Sequence, residues 1–169
     1  MTTLEKRMLT YSLNGSYRFL IPGKKENTLG GILYRLPNAI VIGSLQPNPY
    51  NARPFLGVMM DEGVTFLSLE GQNQSCKPII CSMTAKNSAQ TEYNGTWIYA
   101  TDSKRYRELL QAIPLDLSQL SLSNNKYLSS LGKADPESIE RVCYSALLMD
   151  EVETVPGNFI SLSLRKMQY

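Results

Sequence analysis

Between Tyr11 and about Ala100 the chain alternates short apolar runs with turn-forming residues, and that spacing limits the fold more than any other feature. Tyr17-Arg18-Phe19-Leu20-Ile21 reads as a strand closed by Pro22-Gly23. Leu29 to Leu36 and Ala39 to Leu45 form a predicted hairpin around Pro37-Asn38, a pair suited to a tight turn. Phe55 to Met60 and Val64 to Leu69 form a second hairpin through Asp61-Glu62-Gly63, with the glycine expected to take the positive φ of a short turn. Within that second arm Val64, Phe66 and Ser68 face one side and Thr65, Leu67 and Leu69 the other, so the strand is expected to be covered on both faces. Pro78 to Met83 and Tyr93 to Ala100 complete the series. Strands this short and regular predict an antiparallel sandwich or open barrel.

After residue 100 the period changes. Asp102 or Ser103 is suited to cap a helix carrying Tyr106, Leu109, Leu110 and Ile113 at helical spacing, ended by Pro114. Leu115 to Leu122 takes no clear period, and Ser121 to Gly132, rich in Ser and Asn, reads as a loop. Asp135-Pro136-Glu137 opens a second helix, with Asp as cap and Pro at the first position. Ile139, Val142, Cys143, Ala146 and Leu147 form its apolar stripe. Pro156-Gly157 turns the chain into a last strand, Phe159 to Leu164, whose edge is open to pairing with a second copy, with Arg165-Lys166 left in solvent. The expected class is α+β and β-rich, with two helices in the C-terminal part. It is read as one domain over residues 1–169, β-rich from 11 to 100 and helix-containing from 101 to 169.

The chain has no histidine, which removes Ser-His-Asp and Cys-His catalysis and histidine metal sites. Three cysteines, no secretory pattern near Met1 to Thr10 and no apolar stretch of about 18 residues point to a cytoplasmic chain with reduced thiols and no membrane partner. The net charge is +2, with nine basic and six acidic residues up to residue 100 and eight and nine beyond it. From that balance nucleic acid stays a possible partner, though not one bound by bulk charge. Asn14-Gly15 and Asn94-Gly95 fall in glycosylation triplets but read as turns in a cytoplasmic chain.

Candidate chemistry is sparse. Asp61-Glu62 are neighbours in a turn, and Asp150, Glu151 and Glu153 follow a helix, so neither set faces a substrate as paired carboxylates must. Cys76 and Cys81 are too far apart for a metal ribbon, Lys77 is the one basic neighbour of Cys76, and Cys143 lies on an apolar stripe. Gly30-Gly31 lacks the rest of a phosphate loop and reads as a bulge or a close-packing point. Tyr11, Tyr17, Tyr34, Tyr50, Tyr93 and Tyr99 scatter over separate strands and read as sheet packing. No catalytic residue, metal or cofactor is expected.

The unconventional feature is Lys104-Arg105-Tyr106-Arg107. Three cations in the first turn of a helix oppose its dipole, each costing about 0.3–1 kcal/mol when exposed. An anion or acidic partner held by Lys104, Arg105 and Arg107 would relieve that repulsion. The alternative is a solvated basic face.

Several spaced features over residues 17–120 resemble the N-terminal β domain of ApeA-type abortive-infection proteins, bacterial anti-phage proteins with a C-terminal HEPN ribonuclease domain. They are Tyr17 to Gly23, an aromatic run ending in Pro; Gly31-Ile32-Leu33 ahead of Ile40 to Leu45; and Leu56-Gly57 ahead of Val64-Thr65-Phe66-Leu67. The resemblance implies sensing or recognition. It does not carry over the nuclease, because the family's Arg-x4-6-His motif has no counterpart here and the chain leaves no room for the HEPN domain. Residues 123–169 fall outside it. The expected function is a non-catalytic recognition module with a protein partner, a defence sensor in phage–host conflict. The alternatives are a phage or viral accessory protein that inhibits a host factor, and an enzyme using carboxylates or lysine.

Overall fold

The computed structural model describes residues 11–20, 28–46, 53–61, 63–69, 78–100, 103–152 and 159–167. Its frame is eight antiparallel strands: β1 (Gly15–Leu20), β2 (Thr28–Arg35), β3 (Ile40–Gln46), β4 (Arg53–Met60), β5 (Gly63–Ser68), β6 (Ile79–Ala85), β7 (Glu92–Tyr99) and β8 (Phe159–Lys166). Each pairs with its sequence neighbour, and β8 pairs with β1 as well as β7, so the sheet is a closed barrel. The sandwich and the open barrel are therefore both corrected. The expected free edge is corrected too: Phe159–Lys166 is hydrogen-bonded on both sides, and closure removes the strand edge that a second copy would need.

The wall separates two apolar clusters. Period-2 alternation sends Tyr17, Phe19, Leu33, Val41, Phe55, Val64, Phe66, Cys81, Tyr93 and Trp97 into the interior. It sends Ile40, Ile42, Leu56, Val58, Leu67, Ile80 and Ile98 outward, under the helical segment. β5 is covered on both faces, as its sequence predicts, with Val64 and Phe66 inside and Leu67 and Leu69 outside. The interior is filled with rings. Phe55 stacks on Phe66 with centroids 4.1 Å apart, and Phe19 meets Trp97 edge-on at 6.5 Å. Inward glycines make room for them: a Cβ on Gly31 would lie 2.4 Å from the Phe19 ring, and one on Gly43 the same distance from the Phe55 ring. Gly31 is thus the close-packing point and not a bulge, since β2 keeps its register through it.

Turn chemistry fixes the hairpins. The β2–β3 turn runs through Pro37-Asn38, and Ala39 takes the left-handed conformation, with φ of 70°. Met60 pairs with Gly63 across the β4–β5 turn, and here Asp61, not Gly63, takes positive φ, at 52°. Asp tolerates that region because its short side chain bonds locally. Asn94-Gly95 is not a turn but lies within β7, opposite Thr84 and Met83.

Outside the barrel lie α1 (Ser103–Gln111), α2 (Asn125–Leu131) and α3 (Pro136–Val152), with a 3-10 turn at Leu117–Gln119. Among the described residues of the C-terminal part that makes three helices where two are expected, because Asn125–Leu131 within the expected loop Ser121 to Gly132 is helical. Asn124 caps α2 by accepting from the Tyr127 N–H at 3.1 Å, and Tyr127, Leu128 and Leu131 are buried. Asp135 accepts from the Glu137 N–H at 3.0 Å, as a cap for α3 should. Ile139, Val142, Cys143, Ala146 and Met149 then bury one face of α3 against the sheet, each large aliphatic contributing about 1.5–3 kcal/mol. Leu115, Leu117, Leu120 and Leu122 pack against the same cluster. Among the described residues no helix is long and apolar enough to cross a membrane.

The barrel end that holds the start of β1 and the end of β8 carries a stopper made of Tyr11 to Asn14. Leu13 is fully buried in the interior cluster. The Tyr17 hydroxyl donates to the Leu13 carbonyl, and Lys166 Nζ donates to the Ser12 carbonyl at 2.7 Å. Asn14 Oδ1 accepts from the Arg35 N–H at 2.6 Å, and the Arg35 guanidinium lies 4.8 Å from the centre of the Tyr11 ring. Lys166, expected in solvent, is half-buried, and that burial lowers its pKa.

Candidate functional site

The helices cover the apolar outer face of the middle strands. The outer faces of β7, β8 and β1 bear instead Glu92, Asn94, Ser163, Arg165, Ser16 and Arg18. Ser163 Oγ donates to Asn94 Oδ1 at 3.2 Å across β7 and β8. This polar sector ends in an open cleft of about 700 Å³ whose walls include Arg18, Leu20, Glu92, Arg165, Lys166 and Met167.

Strand register builds the cleft's charge. Arg18 on β1 is directly opposite Arg165 on β8, and Arg165 is directly opposite Glu92 on β7. Opposed residues on one face of a sheet have Cβ atoms about 4.5–5.5 Å apart, so the two arginines repel while Glu92 attracts. Glu92 Oε1 lies 3.5 Å from Arg165 Nε, and Glu92 Oε2 lies 4.0 Å from Lys86 Nζ. One carboxylate is thus shared by two cations, and Arg18 has no ion pair among the described residues. Such exposed pairs contribute little to stability.

The cations singled out from sequence lie elsewhere. Lys104, Arg105 and Arg107 are exposed on α1, whose first turn holds no acidic residue. Tyr106 between them points inward, and its hydroxyl donates to the Ser68 carbonyl at 2.8 Å. Each of the three cations has an interaction within the chain. None lines the Arg18–Arg165 cleft. Asp102, the candidate cap, lies outside the described residues, as do Cys76, Lys77 and Tyr50.

The thiols and phenols are placed for packing. Cys81 is inside the barrel and Cys143 on the buried face of α3. Burial pushes both thiols up, Cys143 to about 12 with a smaller push from Glu140, which suppresses thiolate. Of the scattered tyrosines, Tyr17, Tyr34 and Tyr93 are buried and Tyr11 and Tyr99 partly buried; the helical Tyr106 is buried as well. Burial also raises the phenols of Tyr17 and Tyr93, the latter to about 12. Asp61 is exposed in its turn. Among the described residues no three acidic or thiol side chains gather as a metal site would require.

A second, smaller hollow of about 320 Å³ lies where the β2–β3 turn meets α2, between Tyr11, Tyr34, Arg35 and Lys133. Asn38, next to its Pro37 wall, donates to the carbonyls of Leu131 and Ala134 at 3.0 and 2.9 Å.

The sequence signal for Arg18 was present in strand alternation, which turns it outward between Tyr17 and Phe19. The signal for its partner was not, because Arg165 joins it only through closure of the barrel. No family model, curated protein or solved structure matches the chain.

Proposed function

We propose that this chain is a non-catalytic recognition module that works through its outer surface, acting as a sensor in phage–host conflict. One observation supports the binding part of the reading above the others. The interior is occupied by Tyr17, Phe19, Phe55, Phe66, Tyr93 and Trp97, and the near end is stopped by Leu13, so a partner meets the outside of the wall. A closed barrel gives that outside a rigid backbone, and rigid elements hold contact residues with little ordering cost on binding. The defence setting rests on the resemblance to ApeA-type N-terminal domains alone.

Affinity capture of the tagged chain from infected and uninfected cells of its native host tests both parts. The expected result is a partner retained at comparable stoichiometry and found only after infection. Equal recovery in both conditions would overturn the sensor role. A retained host enzyme that loses activity when bound would favour the inhibitor alternative instead.

A further inference from the structure

From the Arg18–Arg165 pair we infer that the cleft on the β1–β8 seam is a binding site for a phosphoryl group carried by a small molecule. The inference rests on the reading of the chain as a binding module and adds the chemical class of one ligand.

Closure of the barrel makes Arg18 and Arg165 directly opposed residues on one exposed face of the sheet. Like charges in that relationship are destabilising. Another surface position would avoid the cost, and Glu92 offsets it at one arginine only, while also facing Lys86. Because Glu92 meets Arg165 at Nε, the terminal nitrogens of that guanidinium are left for a second acceptor. Arg18 has its whole fork available, since it makes no ion pair or hydrogen bond among the described residues. Two arginines opposed on one face and lining one cleft suit an acceptor with several oxygens and more than one negative charge, and arginine recognises phosphate through its fork of donors. Lys166 lines the same cleft and carries a third cation, its Nζ fixed by the Ser12 carbonyl. Among the described residues three cations and one carboxylate line the cleft, a positive excess, whereas the chain as a whole is nearly balanced.

The remaining walls say what the phosphoryl group is attached to. Leu20 and Met167 are apolar, and Thr91 offers a hydroxyl. A volume of about 700 Å³ holds a nucleotide-sized molecule. Its phosphate would lie between Arg18 and Arg165, and its less polar part on Leu20 and Met167.

Calorimetric titration of the full chain at low ionic strength, with inorganic pyrophosphate and separately with AMP, tests the site. Saturable binding is expected, weakened about tenfold or more by Arg18→Ala and by Arg165→Ala and unchanged by Lys126→Ala, an exposed cation on α2. Tighter binding of AMP than of pyrophosphate would assign a role to Leu20 and Met167. Equal binding would mean that the phosphoryl group alone is read. Absence of saturable binding, or full affinity in Arg18→Ala, would overturn the site. So would binding of single-stranded RNA that depends on both arginines while AMP and pyrophosphate fail to bind. Arg165→Ala loses its bridge to Glu92 and is checked by thermal unfolding, but Arg18→Ala breaks no ion pair or hydrogen bond among the described residues and keeps the test decisive. A failed titration alongside a captured protein partner would overturn this site and leave the recognition reading standing.

Discussion

The Tyr17 hydroxyl donates to the Leu13 carbonyl, so the first strand of the barrel holds down the stopper that precedes it. Both side chains are fully buried. Tyr17→Phe keeps the ring and strands a buried carbonyl. The expected loss is about 1–3 kcal/mol, read as a lower denaturation midpoint at unchanged slope.

Inward and outward glycines should differ sharply in their tolerance of a methyl group. A Cβ on Gly57 would lie 2.0 Å from the Thr65 carbonyl oxygen and 2.5 Å from the Phe66 Cα, backbone that cannot step aside. Gly57→Ala is expected to cost about 3 kcal/mol or more. Gly30 has nothing within 4 Å of the same position, so Gly30→Ala should stay within about 0.5 kcal/mol of the parent. Thermal unfolding of the two variants side by side checks both.

Asn38 fastens the β2–β3 turn to the end of α2 through its Nδ2 group. Asn38→Ala removes two hydrogen bonds, one to the last carbonyl of α2 and one to the Ala134 carbonyl beyond it, and should cost about 1–2 kcal/mol. Asn38→Asp should cost more, because it points an acceptor at two acceptors. Chemical denaturation ranks the variants, and a less damaging Asp would contradict the orientation of the amide.

Stability should fall in alkali. Burial raises the pKa of Tyr93 from 10.0 to about 12 and that of Cys143 from 9.0 to about 12, and it raises Tyr17 and Cys81 as well. The unfolded chain therefore releases these protons first. The stability these groups contribute is complete below their unfolded pKa values and is lost as the pH rises from about 9 toward about 12. Denaturation midpoints measured across that range should drop steadily. In the same range Cys81 and Cys143 should resist alkylation until the chain unfolds.

Local pattern carried most of the strands. Tyr17 and Phe19 around Arg18, and Val64 and Phe66 around Thr65, reveal their faces by alternation, and Asp135-Pro136 announces α3. α2 was hidden in a Ser- and Asn-rich stretch, yet Asn124 followed by Tyr127, Leu128 and Leu131 is the signal of a short capped helix. Closure was not legible, because pairing of β1 with β8 depends on the summed twist and stagger of eight strands and on no single motif. The cleft shared that fate, since Arg18 and Arg165 belong to opposite ends of the chain. Positive φ in the β4–β5 turn falls on Asp61 and not on Gly63, a place that residue type alone does not reveal, because glycine is the commoner solution and Asp the rarer one.

Closure has a mechanical consequence. β1 begins and β8 ends at the same rim, where Lys166 pairs with Tyr17 and Met167 bonds to Ser16. Tension applied between those two points would pull the seam open from the rim like a zipper, one ladder bond at a time, instead of shearing all its bonds together. A barrel without edges in solution would then yield at low force, first between Ser16 and Met167 and between Tyr17 and Lys166, with Arg18 and Arg165 the next pair to part.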